Sequence, residues 1–484
     1  MPDMPPIILR ATSELCLERL TAYLEKAFYF LVLGAALTLS CWGQVFTSLV
    51  SLEQSQGTNP QFLNLIQGAD GDYYGTATFG GSGHQGTIFK ITAAGSFTVL
   101  HNFIVSDGAS PHGSLVQLAD GYFYGTTELG GAYNSGTVYK MSPKGDVTTL
   151  YSFTAGADGA QPFDGLVWAS DGNLYGTTDF NGAFDGGTVF KITPKGVLTT
   201  LHSFSQTDGA SPLGGLVQGG DGSLYGTTQL GGANNYGTIY KITLQGTLTT
   251  IHDFNLVDGS DPFAVLVEGL DGNLYGTSSS GGAYDSGTVF KVTLDGTLTT
   301  LHSFCSDSGC ADGAYPIGAL VQANDGNFYG TTTDLVHHVR GHGTIFQISP
   351  AGDLATIHTF DITDGSAPHG GLLQATRGPL YGTTYAGGVY GLGTLYSLDM
   401  GLAPFVALPR DFGRVGQTVA ILGQGLRQGT SVSFNGSQAK FVVKSNTCIF
   451  ATVPAGATTG PVKVMAPKGT LTSNKPFRVL SKGL

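Results

Sequence analysis

A Tyr-Gly-Thr core recurs seven times in this chain, at Tyr74, Tyr124, Tyr175, Tyr225, Tyr275, Tyr329 and Tyr381. The spacings are 50, 51, 50, 50, 54 and 52 residues. One such unit is too small to bury both faces of whatever it folds into. Near-identical units must bury them against one another, so stacking is imposed before any other feature is read. The copies span about residues 45–400.

Each unit carries four strand candidates. In the fourth copy these are Gly215–Gln218, Ser223–Thr228, Gly237–Thr243 and Thr247–Phe254, here called strands b, c, d and a. In strand d, Thr238, Tyr240 and Ile242 share one face while Ile239 and Lys241 share the other. That is the period-2 alternation of a strand. Asp-Gly pairs begin at Asp70, Asp120, Asp171, Asp221, Asp271 and Asp325 and mark tight b–c hairpins, whose turns need positive φ. Short turns such as Pro194-Lys195-Gly196 join d to a. The c–d and a–b connections are longer and more varied.

Four antiparallel strands per 50 residues, seven times over, predict an all-β, seven-bladed β-propeller. Gly is abundant (75 of 484 residues) and charge sparse (12%), which suits many short strands and tight turns. The repeated Tyr and Phe are expected to fill the space between blades. The last unit stops after its d strand, Gly393–Leu398, whereas Phe46–Leu52 has the a-strand pattern and precedes any b strand. The N-terminal strand is therefore expected to complete blade seven and protect an edge that would otherwise be open.

The strings Leu-Tyr-Gly-Thr-Thr, Gly-Gly-Ala and Gly-Thr-Val-Phe-Lys-Ile-Thr-Pro resemble the GloVer tandem repeats of "choice-of-anchor" bacterial surface proteins, over about 350 residues. The resemblance implies export and surface display and brings no biochemical activity with it. From about Ala403 the repeat ends. Residues 403–482 contain Gly-Gln-Thr-Val-Ala-Ile-Leu-Gly, Val-Ser-Phe-Asn-Gly and Ala-Thr-Val-Pro-Ala-Gly-Ala-Thr-Thr-Gly-Pro-Val-Lys-Val. They resemble an IPT/TIG immunoglobulin-like domain, a small β-sandwich expected to act as a spacer. Cys448 is unpaired within it and reads as a buried small hydrophobe.

Residues 1–44 differ in kind. Ala27–Ser40 is a 14-residue apolar run preceded by Lys26, which reads as the h-region of a signal peptide and is short for a membrane span. An exported, extracellular or cell-surface protein is expected, with no membrane span in the mature chain. Net charge is −12 with 22 Lys and Arg and no basic run, which argues against a nucleic-acid surface. A monomer is expected.

Strand direction sorts the connections: tight b–c and d–a turns on one face, longer c–d and a–b loops on the other. Ligands are sought on the loop face, near the axis. The recurrent His101, His202, His252, His302 and His358 share one place in strand a and read as structural. Lys90, Lys140, Lys191, Lys241 and Lys291 share one place in strand d and read as snorkelling or solvated. Asp107, Asp158, Asp208, Asp258, Asp312 and Asp364 each precede Gly in the a–b loops. They read as turn-formers, the alternative being a ring of carboxylates around a structural divalent cation. No cofactor is expected.

Blade six departs from the pattern. Its entering loop carries Cys305-Ser306-Asp307-Ser308-Gly309-Cys310, which suits a local disulfide in an oxidising compartment. Its c–d loop carries His337, His338, Arg340 and His342, where other blades have Gly-Gly-Ala. Asp307 and these four residues are the candidate ligand-binding set, and the three histidines are candidate metal ligands. The reading is an exported, non-enzymatic scaffold whose loop face binds a glycan or protein. The alternative is a propeller lyase or hydrolase, acting on carbohydrate or peptide, with its site near blade six.

Overall fold

The computed structural model describes residues 44–306, 309–333, 341–467 and 469–481. The apolar run of the leader lies outside them. Residues 46–484 form one unit.

Seven four-stranded antiparallel sheets follow one another along the chain. In blade four, strand b is Val217–Gln218, c is Leu224–Thr228, d is Thr238–Ile242 and a is Leu248–Asp253. Strand c is wholly buried in every blade, for example in blades three and four. Strand d is buried except at its Lys. Blade seven consists of Leu373–Gln374, Leu380–Thr384 and Thr394–Asp399, and its outer strand is Val45–Ser51 from the other end of the chain. The Leu52 amide donates to the Gly393 carbonyl at 2.9 Å, and the Phe46 ring stacks on His358 with centroids 3.9 Å apart. The ring is closed by first and last strands.

The cores lie between blades. Tyr175, Val189 and Phe204 of blade three pack with Leu216, Leu224, Tyr240 and Ile242 of blade four. The same arrangement joins Tyr381 and Leu395 of blade seven to Tyr73, Phe89 and Ile91 of blade one. A glycine makes it possible. Gly226 pairs with Tyr240 across strands c and d, and the aromatic ring lies where a Cβ would stand.

Strand b is shorter than its apolar run suggests. The Gly215 amide donates to Asp164 of the neighbouring blade at 2.8 Å instead of joining a ladder. The Asp-Gly turn is a three-residue loop. Gly219 and Ser223 close it at 2.9 Å, and Gly222 alone takes positive φ, at 85°.

Residues 412–479 form three small sheets, of two, three and four strands, around a core that includes Ile421, Val432, Phe434, Ile449, Val464 and Phe477. Cys448 is buried there without a disulfide partner, and burial pushes its thiol up to about 11. This domain does not extend from the ring as a spacer. It is seated on the b–c turn face: Thr447 Oγ1 donates to the Ala69 carbonyl at 3.0 Å, the Phe405 amide to Thr376 at 3.0 Å, and Asn324 Nδ2 to Ala403 at 2.6 Å. Those partners come from the adjacent blades one, seven and six, and Arg478 donates to the Gln218 carbonyl of blade four at 3.3 Å, so the contact spreads across the ring.

Candidate functional site

The repeated Tyr, His and Asp side chains are committed within their own blades. Six Tyr hydroxyls of the Tyr-Gly-Thr cores donate to the Asp of the preceding Asp-Gly turn at 2.7–3.0 Å. In strand a, His101, His202, His252, His302 and His358 each bond the a–b loop Asp of the same blade at 2.9–3.1 Å. Blade two uses Tyr151 and Asp158 instead, at 3.0 Å. The other Asp oxygen caps the loop, as when Asp107 accepts from the Ile104 amide at 2.9 Å. These carboxylates thus hold turns together, each in its own blade. Lys90 reaches Asp72 at 2.9 Å and Lys241 reaches Asp221 at 2.7 Å, both half-exposed.

One residue per blade gathers around the axis, following the Pro that enters strand b: Phe62, His112, Phe163, Leu213, Phe263, Ile317 and His369. Phe62, with φ 51°, lies centrally, its ring 5.0 Å from Phe163, 5.6 Å from His369 and 6.0 Å from Phe263. This apolar plug narrows the axis at the place where the sequence reading put a ligand. Its two histidines are buried. His112 Nε2 pairs with Glu128 at 2.8 Å. Burial brings His369 down to about 4, and among the described residues both of its ring nitrogens lack a protein partner. Asp179, one blade on from Glu128, is pushed up to about 6 by burial, with a smaller upward contribution from the Glu128 charge.

The loop face exposes most of the ring's large apolar side chains, interleaved with polar ones. Tyr133, Phe184, Tyr284 and Tyr390 occupy the tips of the c–d loops of blades two, three, five and seven, between 53% and 65% exposed. Phe79, Phe180 and Leu230 begin c–d loops, and Ile104, Val105, Leu256, Val257 and Ile362 stand in a–b loops, all exposed. On the turn face the exposed large apolar residues of the ring, among the described residues, are Val45, Tyr122, Val197 and Leu270.

In blade six, Cys305 and Cys310 are disulfide-bonded. The insertion keeps the loop lock, since Asp312 bonds His302 at 2.9 Å and the Ser306 hydroxyl at 2.9 Å. Asp307, His337, His338 and Arg340 lie outside the described residues. His342 is described, half-buried, with Nδ1 3.3 Å from the Ser366 hydroxyl. Among the described residues no group of three His, Cys, Asp or Glu is placed to hold a metal ion. The loop-tip aromatics, the plug and the His112–Glu128 pair escaped the sequence reading. Comparing the seven copies position by position is the signal that finds them: an aromatic recurs at the loop tip in four blades, one bulky residue per blade recurs at the plug, and His112 with Glu128 is a departure.

Residues 32–220 and 213–430 match the model of the Gloeobacter/Verrucomicrobia repeat, and residues 410–479 match that of the IPT/TIG domain. No curated protein matches the chain. The chain is similar in fold to a gluconolactonase of Xanthomonas campestris, at 14% identity over 75% of this chain and 92% of the other, with a TM-score of 0.40. It is also similar to a candidate 6-phosphogluconolactonase of Bacteroides uniformis, at 16% identity over 66% and 94%, with a TM-score of 0.43. A puromycin-hydrolysing peptidase of Mycobacterium tuberculosis shares 12% identity over 70% and 52%, with a TM-score of 0.43.

Proposed function

This chain belongs to the Gloeobacter/Verrucomicrobia repeat family, and from that premise we propose that it is an exported, non-enzymatic binding protein whose loop face holds a glycan chain. One observation carries the reading: exposed apolar side chains gather on the loop face, while the opposite face is partly covered by the IPT/TIG domain. A soluble protein rarely exposes so much apolar surface on one side without a partner for it. Aromatic tips followed by Asn134, Asp185 and Asp285 suit sugars, whose apolar ring faces stack on aromatics while their hydroxyls reach amides and carboxylates. The uniformity of the blades supports a scaffold over a catalyst, since the repeated Tyr, His and Asp side chains serve the turns and the repeated Gln joins neighbouring blades.

Affinity electrophoresis of the full chain through bacterial and plant polysaccharides tests the proposal. At least one polysaccharide should retard it. A combined Tyr133→Ala, Phe184→Ala, Tyr284→Ala and Tyr390→Ala variant should bind at least about tenfold more weakly, since each aromatic ring stacked on a sugar contributes roughly 1 kcal/mol. Tyr122→Ala, on the turn face, should change nothing. Absence of retardation by every polysaccharide, or undiminished binding by the combined variant, would overturn the reading. Export predicts that the protein recovered from medium or cell surface begins near Val45; recovery from the cytosol alone would oppose it.

A further inference from the structure

The seven blades serve as an internal reference, and on the turn face they share a belt. The second residue of strand b is Gln in five blades. Its Oε1 accepts from a backbone amide in the preceding blade: Gln117 from Ala69, Gln218 from Ser170, Gln322 from Leu270, Gln374 from Asn324 and Gln67 from Thr376, at 2.9–3.0 Å. Two blades depart, with Trp168 and Glu268. Glu268 keeps the belt bond, accepting from Gly220 at 2.7 Å. Trp168 has no oxygen with which to make it.

Both departures meet an arginine of the IPT/TIG domain. The Arg410 guanidinium lies 4.6 Å from the Trp168 ring and 4.6 Å from that of Phe412. Arg478 reaches Glu268 at 3.5 Å and Asp411 at 3.1 Å. A third departure is Asp164, which stands where the other blades have Gly, Ala or Leu. Its carboxylate accepts from the Gly165 and Gly215 amides at 2.6 and 2.8 Å.

Asp164, Trp168 and Glu268 line one cavity of about 320 Å³ with Arg410, Lys475 and Arg478, a volume within the range of small-ligand pockets. The charges inside do not all cancel. Arg478 is engaged by two carboxylates, but among the described residues neither Arg410 nor Lys475 has a carboxylate within ion-pair distance. Burial raises the Asp164 carboxyl above its usual range, which favours its neutral form. Among the described residues, Trp168 Nε1, Arg410 Nε and Arg478 Nε are buried donors without a protein acceptor, and Asn64 Oδ1 is a buried acceptor without a donor.

Surplus cations and donors, an aromatic face and a few acceptors describe a complementary molecule. We infer that this cavity binds a small polyhydroxylated monocarboxylate, of uronic-acid size, with its carboxylate on Arg410 and Lys475, its ring on Trp168 and its hydroxyls toward Asp164 and Asn64. A monoanion fits better than a dianionic phosphate, because Glu268 and Asp411 line the same space and repel a second negative charge. The site lies on the face opposite the loop-tip aromatics and stands or falls independently of the glycan reading.

Trp168 reports on it directly. The chain has two tryptophans, and Trp42→Phe in the full chain leaves Trp168 alone. Galacturonate and glucuronate, titrated to about 20 mM, should change its emission saturably, while galactose should not. Arg410→Gln and Lys475→Gln should each weaken the response by about tenfold. Lys475→Gln is decisive should Arg410→Gln unseat the domain. No saturable response to either uronate, an equal response to galactose, a response to inorganic phosphate alone, or full uronate affinity in Lys475→Gln would each overturn the assignment.

Discussion

His369 shows how one position in a repeat can carry a chemistry its counterparts lack. Blades one, three and five place Phe at the same point of the axial plug. His369 is 7% exposed, stacks on Tyr385 with centroids 4.7 Å apart, and is held near 4 by burial. Its folded value lies below the unfolded value of 6.5. The stability tied to the neutral ring is therefore fully present above about pH 6.5 and is lost as pH falls through 4. A shift of that size corresponds to about 3 kcal/mol. Asp179 bends the profile the other way: its value is raised to about 6, so its contribution is present below the unfolded range near 3.8 and is lost as pH rises through 6. Urea unfolding at pH 7 and pH 4 should show a smaller acid loss in His369→Phe than in the parent. Equal losses would mean that His369 is not buried neutral.

Between strands, glycine acts in two distinct ways. Gly176 sits inside strand c, and a Cβ there would stand 2.7 Å from Phe190 Cζ and 2.9 Å from Leu166 Cδ2. Gly172 sits in the exposed Asp-Gly turn at φ 88° with open space around it. Gly176→Ala should therefore cost about 2 kcal/mol or more through overpacking. Gly172→Ala should cost about 1 kcal/mol through left-handed backbone alone. Thermal unfolding of the two variants tests the order, and equal losses would remove the packing account. Strands c and d were legible from sequence because their alternation is local. The a–b entry was not. Asn59, Ser110, Gln161, Ser211, Asp261, Tyr315 and Ala367 each precede Pro yet take φ between 52° and 57°. Local rules place a pre-proline residue in extended backbone. Here the proline ring is set over a glycine of the preceding blade, as Pro212 is over Gly187, and that inter-blade contact overrides the local preference.

For the whole molecule, closure is the element on which the ring depends. Deleting Val45–Leu52 would leave Thr394–Asp399 as an unpaired edge strand beside exposed core. Light scattering should then show self-association, and the melting temperature should fall by roughly 10 °C. A monomeric variant with unchanged melting would refute the claim that the N-terminal strand seals the ring. The GloVer and IPT/TIG resemblances are borne out by the family matches.

The repeat, the all-β class, the blade count and the borrowed strand were already determined by the amino-acid order. Their causes are local or periodic: alternation within a strand, Asp-Gly at a turn, and copies that differ little. Tertiary structure alone decided that the IPT/TIG domain caps the turn face, that Phe62 plugs the axis, and that Trp168, Glu268 and Asp164 share a cavity with Arg410 and Arg478. Those groups lie up to hundreds of residues apart and meet because the surfaces of the ring and the IPT/TIG domain fit. Such a fit depends on shape summed over both domains, and no short stretch of sequence contains it.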